Sequence, residues 1–563
     1  MDASRYVIIG GVAAGPKAAA KLTRLAPDAD VTIIEKGVFL SYAGCGLPYY
    51  VSGVVEDQED LMSTPAGALR DEVFFLNVKN VHVHNRTLAT EIDREARRVR
   101  VRSLESGDER WVPYDRLILA TGAEPVEPPL PGRELDNVVT LHGVEDAERM
   151  RALLAQHRAP DVVIIGGGLI GVEMTEALVS TGCRVTIVER LPQLLTPLDA
   201  EMAGQVAAHM KSHGVKVLVD TTVTALEPDE NDASRVGVVR TTAGTLPADM
   251  VVVAVGVRPN VGLARDCGLE IGETGAIKVD DHLRTSDPDI YAVGDCAQST
   301  HLVTGRPAYV PLGSTANKQG RVAAVNAAGG DDTFPGILGT SICQVFDFNV
   351  AATGLTQREA EDLGYDIETA LTPAPDKPHF MPTAKMLMLK TVSDRATRRL
   401  LGMQAVGPGD AARATDVAAM ALHAGMTMDD LSKTDLAYAP PYSPAMDNVI
   451  TASDVVRNKM DGVAVGLPPA EVKRKLDAGE PVFLLDVRSP AEVAQVAIPG
   501  AVNIPLGKLR DRLDELPRDK EIVCFCKISL RGYEAALIAG AAGCDAKFMD
   551  GGIIMWPYER VGG

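Results

Sequence analysis

Two short stretches of the sequence place a thiol where it can do chemistry. Cys45 lies in Ser41-Tyr-Ala-Gly-Cys-Gly-Leu-Pro-Tyr-Tyr50, and Cys526 opens Cys526-Lys-Ile-Ser-Leu-Arg531. Cys45 stands where a helix could begin, and a helix N-terminus favours the thiolate. A thiolate attacks disulfides, persulfides and peroxides, whereas a buried cysteine is only a small hydrophobe. Position 50, where a Cys-x4-Cys redox pair would end, is Tyr50. No internal disulfide can form there, so an oxidised Cys45 is a mixed disulfide with a small thiol, a persulfide or a sulfenic acid. Cys526 follows an apolar run and opens a loop leading into a helix; such a loop aims backbone N–H groups at one anion.

Two glycine turns supply a different chemistry. Gly10-Gly-Val-Ala-Ala-Gly15 follows the apolar run Tyr6–Ile9, and Gly166-Gly-Gly-Leu-Ile-Gly171 follows Val162–Ile165. Gly10 permits the tight turn and Gly15 lets helix and strand pack closely, although Val12 replaces the middle glycine. Gly166, Gly168 and Gly171 complete the full dinucleotide pattern. Each turn leads through a helix-like segment to a strand ending in a carboxylate, Glu35 or Glu189, which can accept from ribose hydroxyls. Glu189 favours NADH over NADPH because it would repel a 2′-phosphate, with Arg190 beside it as a partial counterweight. Leu117-Ile-Leu-Ala-Thr-Gly-Ala123 is a strand running into a small-residue turn. Thr285–Asp295 ends in Gly294-Asp295, where a carboxylate can hold the ribityl chain of a flavin.

These features must be positioned by several domains, because 563 residues exceed one core. The two turns start βαβ units 156 residues apart (166 − 10), which predicts a duplicated nucleotide-binding architecture. Residues 335–450 alternate strand-like runs such as Lys385–Lys390 with a long helix at Ala411–Ala424. Around 451–468, a helix followed by Gly462, Gly466, Pro468 and Pro469 reads as a linker, and the remainder again reads as α/β with strands at Val482–Leu485 and Ile522–Phe525.

In this order the motifs resemble the two-dinucleotide-binding flavoprotein reductases of the pyridine nucleotide–disulfide oxidoreductase family, across residues 1–450. The resemblance implies FAD on the first βαβ unit and NADH on the second. Cofactor contacts are implied at Gly10, Val12, Ala13, Ala14, Gly15, Glu35, Lys36, Thr121, Gly122, Gly166, Gly168, Ile170, Gly171, Glu189, Gly256, Gly294 and Asp295. It divides the chain into an FAD-binding domain (1–120 and 250–334), an NAD-binding domain (121–249), a dimerisation domain (335–450) and a linker (451–462). The expected assembly is a homodimer.

Within that family, peroxidases and water-forming NADH oxidases carry His in the first turn, and CoA-disulfide reductases carry Ala, as Ala13 does here. The Cys45 segment and Tyr438-Ala-Pro-Pro-Tyr-Ser443 look like those of the CoA-disulfide reductases. By that likeness Tyr438 reaches the flavin and substrate of the other subunit and protonates a departing thiolate. CoA contacts are implied at Lys17, Lys21, Arg24, Ser41 and Asn317. Three departures alter the pocket: Gly44 replaces Asn, Met446 replaces Lys, and Phe380-Met381-Pro382 replaces Tyr-Tyr-Pro. Losing a donor, a charge and a phenol moves the expected substrate from CoA disulfide toward CoA persulfide, polysulfide or another sulfane-sulfur compound.

Residues 463–563 resemble a rhodanese domain through Leu484-Leu-Asp-Val-Arg488, Ile498-Pro-Gly-Ala-Val-Asn-Ile-Pro505, the Cys526 loop closed by Arg531, and Asp550-Gly-Gly552 with Trp556. Ser529 stands where Gly is common, and Val496-Ala497 replaces Gly-His. Catalytic roles are implied for Cys526 and Arg531, with Cys526 collecting sulfane sulfur and presenting it to Cys45. Cys524 is expected in the core, although a disulfide or relay with Cys526 is the alternative. The fold class expected is α/β: two Rossmann-like domains, an α+β dimerisation domain and a rhodanese-like α/β domain. Two rival readings are an NADH oxidase or peroxidase and a flavin-based thiol-redox sensor scaffold.

Composition narrows the classes further. A net charge of −20 opposes nucleic acid and anionic lipid as partners. Apolar runs such as Val251–Val257 are far shorter than the ~20 residues of a membrane-spanning helix. The N-terminus enters a strand-like run at once, leaving no room for a signal peptide, and eight cysteines without zinc-type spacing suggest no metal and a reducing cytoplasm.

Overall fold

The structure is a computed structural model that describes residues 4–156 and 158–562. The chain forms two compact units, Met1–Pro192 with Gly214–Ile337, and Gln193–His213 with Leu338–Gly563.

The first unit holds two parallel five-stranded sheets, each built around a strand that precedes a glycine turn. In the first, Arg5–Ile9 lies between Asp30–Ile34 and Arg116–Leu119, with His82–His84 and Ile290–Ala292 outside them. Val7, Ile8 and Ile9 are all buried, as expected where both faces of a parallel sheet are covered. Helices Ala14–Leu25 and Gly313–Ala327 cover one face. Residues of the antiparallel sheet Thr87–Asp93, Arg98–Ser103 and Glu109–Pro113 cover the other. Each fully buried Val or Ile contributes about 1.5–3 kcal/mol.

In the second sheet, Asp161–Ile165 lies between Arg184–Val188 and Met250–Val253, flanked by Lys216–Leu218 and Val138–Val139. This corrects the expected boundary at residue 250. Met250–Val253 pairs in register with Val162–Ile165 and so belongs to the second nucleotide sheet. The chain returns only after Gly256, at φ +108°, where Val257–Pro259 pairs antiparallel with Ala123–Pro125. The apolar run Val251–Val257 therefore contains a buried strand, a turn and the start of a crossing ribbon.

The second unit contains an antiparallel sheet in the order Ser341–Val345, Phe348–Gly354, Leu400–Gly407, Met386–Asp394, Ile367–Pro375. Helix Ala411–Ala424 packs on it, started by the Asp410 side chain and stopped by Gly425 at φ +65°. Residues 451–462, expected as a linker containing a helix, are mostly helix, but a packed one. Asn448–Met460 is capped by Asp447 and packs on Ile367–Pro375 and Met386–Asp394. Its buried Val449, Ala452, Ser453 and Val456 follow the i, i+3, i+4, i+7 spacing of one helical face.

The C-terminal sheet is parallel, in the order Gly466–Leu467, Ala546–Met549, Glu521–Phe525, Val482–Asp486, Val502–Asn503. A buried ion cluster joins it to the antiparallel region. Lys459 at the end of the Asn448–Met460 helix pairs with Asp550 Oδ2 (2.7 Å) and Glu368 Oε1 (3.0 Å), and donates to the Thr369 carbonyl (2.5 Å). Burial alone would strip the lysine's charge, but Asp550 and Glu368 outweigh it and hold its pKa above the usual range. Among the described residues, no helix is long and apolar enough to cross a membrane.

Candidate active site

The two glycine turns repeat one construction. Gly10 has φ +115°, and a Cβ there would lie 2.0 Å from the Ala120 carbonyl oxygen; Gly166 has φ +112°, with Ala254 O at 2.3 Å. A Cβ on Gly15 would meet Gly10 O at 1.9 Å, and one on Gly171 would meet Gly166 O at 2.0 Å. Only glycine tolerates such approaches. The carboxylates repeat too. Glu35 accepts from the N–H groups of Gly11 and Gly37, both at 2.6 Å, and Glu189 accepts from Gly167 (2.6 Å) and Leu191 (2.8 Å). Each carboxylate is thereby fixed across its turn with lone pairs left for ribose hydroxyls.

The surroundings fit an adenine dinucleotide at each turn. Cβ positions at Gly168, Gly122 and Gly256 face open space, so the backbone there can be approached closely. Ala13 and Ala14 stand at the start of the Ala14–Leu25 helix, beside half-buried Val12. Lys36 and Ile170 are exposed at the rims, and Thr121 donates to the Asn260 carbonyl (2.7 Å). Gly294 donates to Gln319 Oε1 (2.7 Å), which positions the following Asp295. Burial raises the pKa of the Asp295 carboxyl, so it needs a hydrogen-bond donor. Tyr309, whose hydroxyl is buried without a hydrogen bond, completes this corner; no motif in the sequence pointed to it.

Cys45 lies in the turn Gly44–Gly46, ahead of the short helix Leu47–Ser52. Among the eight cysteines it is the exposed one, and none is in a disulfide. A Cβ on Gly313 would sit 3.9 Å from its sulfur, so the thiol abuts the start of the 15-residue helix Gly313–Ala327. Asn317, one turn along, donates to Gly313 O (2.8 Å). The Ser41 N–H donates to Gly11 O (2.8 Å) and ties the cysteine segment to the first glycine turn. Lys17, Lys21 and Arg24 follow one stripe of the Ala14–Leu25 helix, with Lys17 and Arg24 exposed.

The expectation of a thiolate favoured by a helix N-terminus is corrected. The sulfur is reachable by solvent, but protein crowding on its other side desolvates it, and the charges of Glu173 and Asp295 add to this. All three push the thiol pKa up, and a backbone hydrogen bond offsets them only in part. Burial, with Glu176 nearby, also lifts the Glu173 carboxyl to about 7. In the sequence Glu173 stands just past the second turn. Nothing in its spacing shows that the fold brings it toward Cys45.

In the second unit, Tyr438 is exposed, as are Tyr442, Met446 and Phe380. The Ser443 hydroxyl donates to Ala437 O (3.0 Å) and braces the Tyr438 loop.

Cys526 ends the Glu521–Phe525 strand and is wholly buried. Arg531 hydrogen-bonds its side chain and grips Glu492 with two N–H groups (2.9 and 2.6 Å). That guanidinium holds the Glu492 carboxyl down to about 2. The pair's contribution to stability is therefore present above the ordinary carboxylate range and lost as pH falls through about 2. Ser529, at φ +87° and ψ −45°, takes a conformation near the rare, strained γ-turn, which explains why glycine suits this position better. Ile553 and Ile554 donate to the carbonyls of Cys526 (2.9 Å) and Lys527 (3.2 Å), so the closing segment clamps the loop. A Cβ on Gly552 would come within 2.6 Å of Cys526 O. Cys524 is buried, and burial with Cys544 nearby pushes its thiol up to about 12, so it is a core residue. Where Val496-Ala497 replaces Gly-His, the Val496 carbonyl accepts from the buried Arg488 (2.7 Å).

Comparison with known proteins gives three family matches: pyridine nucleotide-disulphide oxidoreductase at residues 4–327, its dimerisation domain at 340–450, and a rhodanese-like domain at 468–557. The chain is 40% identical over 452 residues to an NAD(P)H sulfur oxidoreductase (CoA-dependent) of Pyrococcus abyssi, covering 80% of this chain and 98% of that protein. Among solved structures, an NAD-dependent persulfide reductase from A. fulgidus superposes with a TM-score of 0.94 at 43% identity, covering 98% of this chain and 100% of that one. The reduced CoADR-RHD of Bacillus anthracis superposes at 0.92 and 36% identity, covering 99% and 98%.

Proposed function

Because the chain belongs to the pyridine nucleotide-disulphide oxidoreductase family and carries a rhodanese-like domain, we propose that it uses NADH to reduce the sulfur–sulfur bond of CoA persulfide, polysulfide or CoA disulfide. The observation that carries this reading is Cys45: a single exposed thiol, with no partner cysteine at position 50, beside the first glycine turn. The first turn with Glu35 and Asp295 would hold FAD, which when bound would relay the two electrons of NADH to sulfur.

The protein's own steps balance. The Cys45 thiolate attacks the inner sulfur of R–S–S–H, forming Cys45–S–S–R and expelling HS⁻. Two electrons and one proton then return Cys45 to the thiolate and release RSH, so the sum is RSSH + NADH → RSH + HS⁻ + NAD⁺. Glu173, poised to hold a proton near neutral pH, and Tyr438 of a second subunit are the groups that can supply it. Lys17, Lys21, Arg24, Ser41 and Asn317 would hold the CoA moiety. The exposed Phe380, Tyr438, Tyr442 and Met446 suit burial in a homodimer, and eight unbridged cysteines suit the cytoplasm.

An oxidase or peroxidase is disfavoured because Ala13 offers no imidazole and a sulfurtransferase-like loop shares the chain. The test compares NADH oxidation with CoA persulfide, polysulfide and CoA disulfide against oxygen and peroxide. Rapid peroxide turnover without sulfur turnover would overturn the proposal.

Two further outcomes are expected. If Cys526 feeds sulfane sulfur to Cys45, Cys526→Ser lowers polysulfide turnover about tenfold while CoA persulfide turnover holds. Equal polysulfide rates would remove the relay. Glu189 makes kcat/KM higher for NADH than for NADPH, and Glu189→Ala narrows the ratio by about tenfold through loss of one charge repulsion. A native enzyme that prefers NADPH would contradict the assignment.

A further inference from the structure

A cluster outside the nucleotide and sulfur sites brings two histidines and a carboxylate together. His209 and His213 occupy i, i+4 positions at the end of helix Ala200–Ser212. Asp347 lies in the turn between strands Ser341–Val345 and Phe348–Gly354. We propose that His209, His213 and Asp347 bind a divalent transition-metal cation such as Zn²⁺ or Ni²⁺.

One potential ligand atom from each residue lies within 4.8 Å of the others. The imidazoles are held in place: His209 stacks on Phe348 (centroids 3.7 Å apart, planes within 10°) and His213 on Phe346 (4.2 Å, 4°). His213 Nδ1 lies 3.0 Å from the His209 carbonyl, so with the proton on Nδ1 its Nε2 lone pair is left free. His209 Nε2 is buried and makes no hydrogen bond.

The His209 side chain is only 10% exposed, and its Nε2, which makes no hydrogen bond, lies 2.8 Å from Asp347 Oδ1. Neighbouring ligands on a metal with bonds near 2.0–2.1 Å lie about 3 Å apart. The separation therefore suits two atoms sharing a cation. Two imidazoles and one carboxylate form a borderline donor set suited to zinc, nickel or copper rather than calcium or magnesium. Bound there, the cation would brace the end of helix Ala200–Ser212 against the Phe346–Phe348 hairpin.

The test is equilibrium dialysis of the full-length FAD-loaded chain against Zn²⁺ alone, with bound metal counted by mass spectrometry. A Cys45→Ser background removes competition from the exposed thiol. About one equivalent is expected, with binding weakened at least about tenfold in His213→Ala and in Asp347→Asn. Asp347 is 64% exposed, so Asp347→Asn leaves packing intact even if His213→Ala disturbs the stacked rings. Zn²⁺ should raise the unfolding temperature of the parent and not that of Asp347→Asn. Zn²⁺ held equally by parent and variants, which would mean an adventitious ion elsewhere, or no Zn²⁺ retained by the parent, would overturn the proposal.

Discussion

Cys45→Ser should lower NADH-dependent reduction of sulfur–sulfur substrates at least about 10³-fold while leaving flavin content unchanged. A serine hydroxyl is a poor nucleophile at neutral pH and cannot hold a sulfur-bonded intermediate. The chain has no second thiol to take over: Tyr50 occupies the position of a partner, and the other cysteines are not exposed. The site proposed for the flavin, at Gly10, Gly15 and the fixed Glu35, makes no use of the sulfur. Stopped-flow measurement separates the steps: NADH should still bleach the flavin absorbance, and persulfide should no longer restore it. Restoration at the parent rate would show that sulfur is reduced elsewhere. Because crowding, Glu173 and Asp295 raise the thiol pKa, the parent rate is expected to climb with pH above neutrality until Cys45 is ionised. A pH-independent rate would indicate that bound cofactor or substrate reverses those influences.

Lys459→Met is the substitution expected to cost most stability. It removes the ammonium that Asp550 and Glu368 share and leaves the buried Asp550 without its ion-pair partner, a loss of about 3–5 kcal/mol. Arg395 still pairs with Glu368 (2.7 Å), so Asp550 bears most of the loss. Asp550 begins the segment that clamps the Cys526 loop, and sulfur transfer by Cys526 should therefore fall with stability. Lys459's pKa is raised by folding, so its contribution is fully present below the ordinary lysine range and lost only as pH rises through the folded value. A chain with several domains does not unfold in one step, so the measurement is calorimetry with hydrogen exchange mapped onto residues 466–557. Lys459→Arg should restore part of the loss. An unchanged transition in the methionine variant would show that the cluster contributes no net stability.

Several features were legible because short-range chemistry dictates them. A glycine whose neighbours force φ above +100°, or whose Cβ would meet a carbonyl, is recognisable from the turn pattern, and so are Glu35 and Glu189 at the strand ends. The solitude of Cys45 follows from Tyr50 alone. The helix Ala411–Ala424 announces itself by its alanines, and the structure adds its caps, Asp410 and Gly425. In segment 451–462 the helix is legible ahead of the glycines and prolines that follow it, but its packing on a sheet is not, because the strands that bury its apolar stripe lie far away in the chain.

What remained hidden depends on residues far apart in the chain. Met250–Val253 is a buried strand in any reading, and only its pairing with Val162–Ile165 decides which sheet owns it. Glu173 and Asp295 act on Cys45 because the fold desolvates all three together, and a shift of that kind has no sequence spacing. The same holds for Lys459 with Asp550, 91 positions apart, and for His209 with Asp347. The sequence by itself determined the nucleotide turns, the lone thiol and the Cys526 loop, because local geometry and residue type suffice for them. Tertiary structure alone decided the burial, charge and neighbours of those groups, because desolvation and ion pairing are set by what packs around an atom.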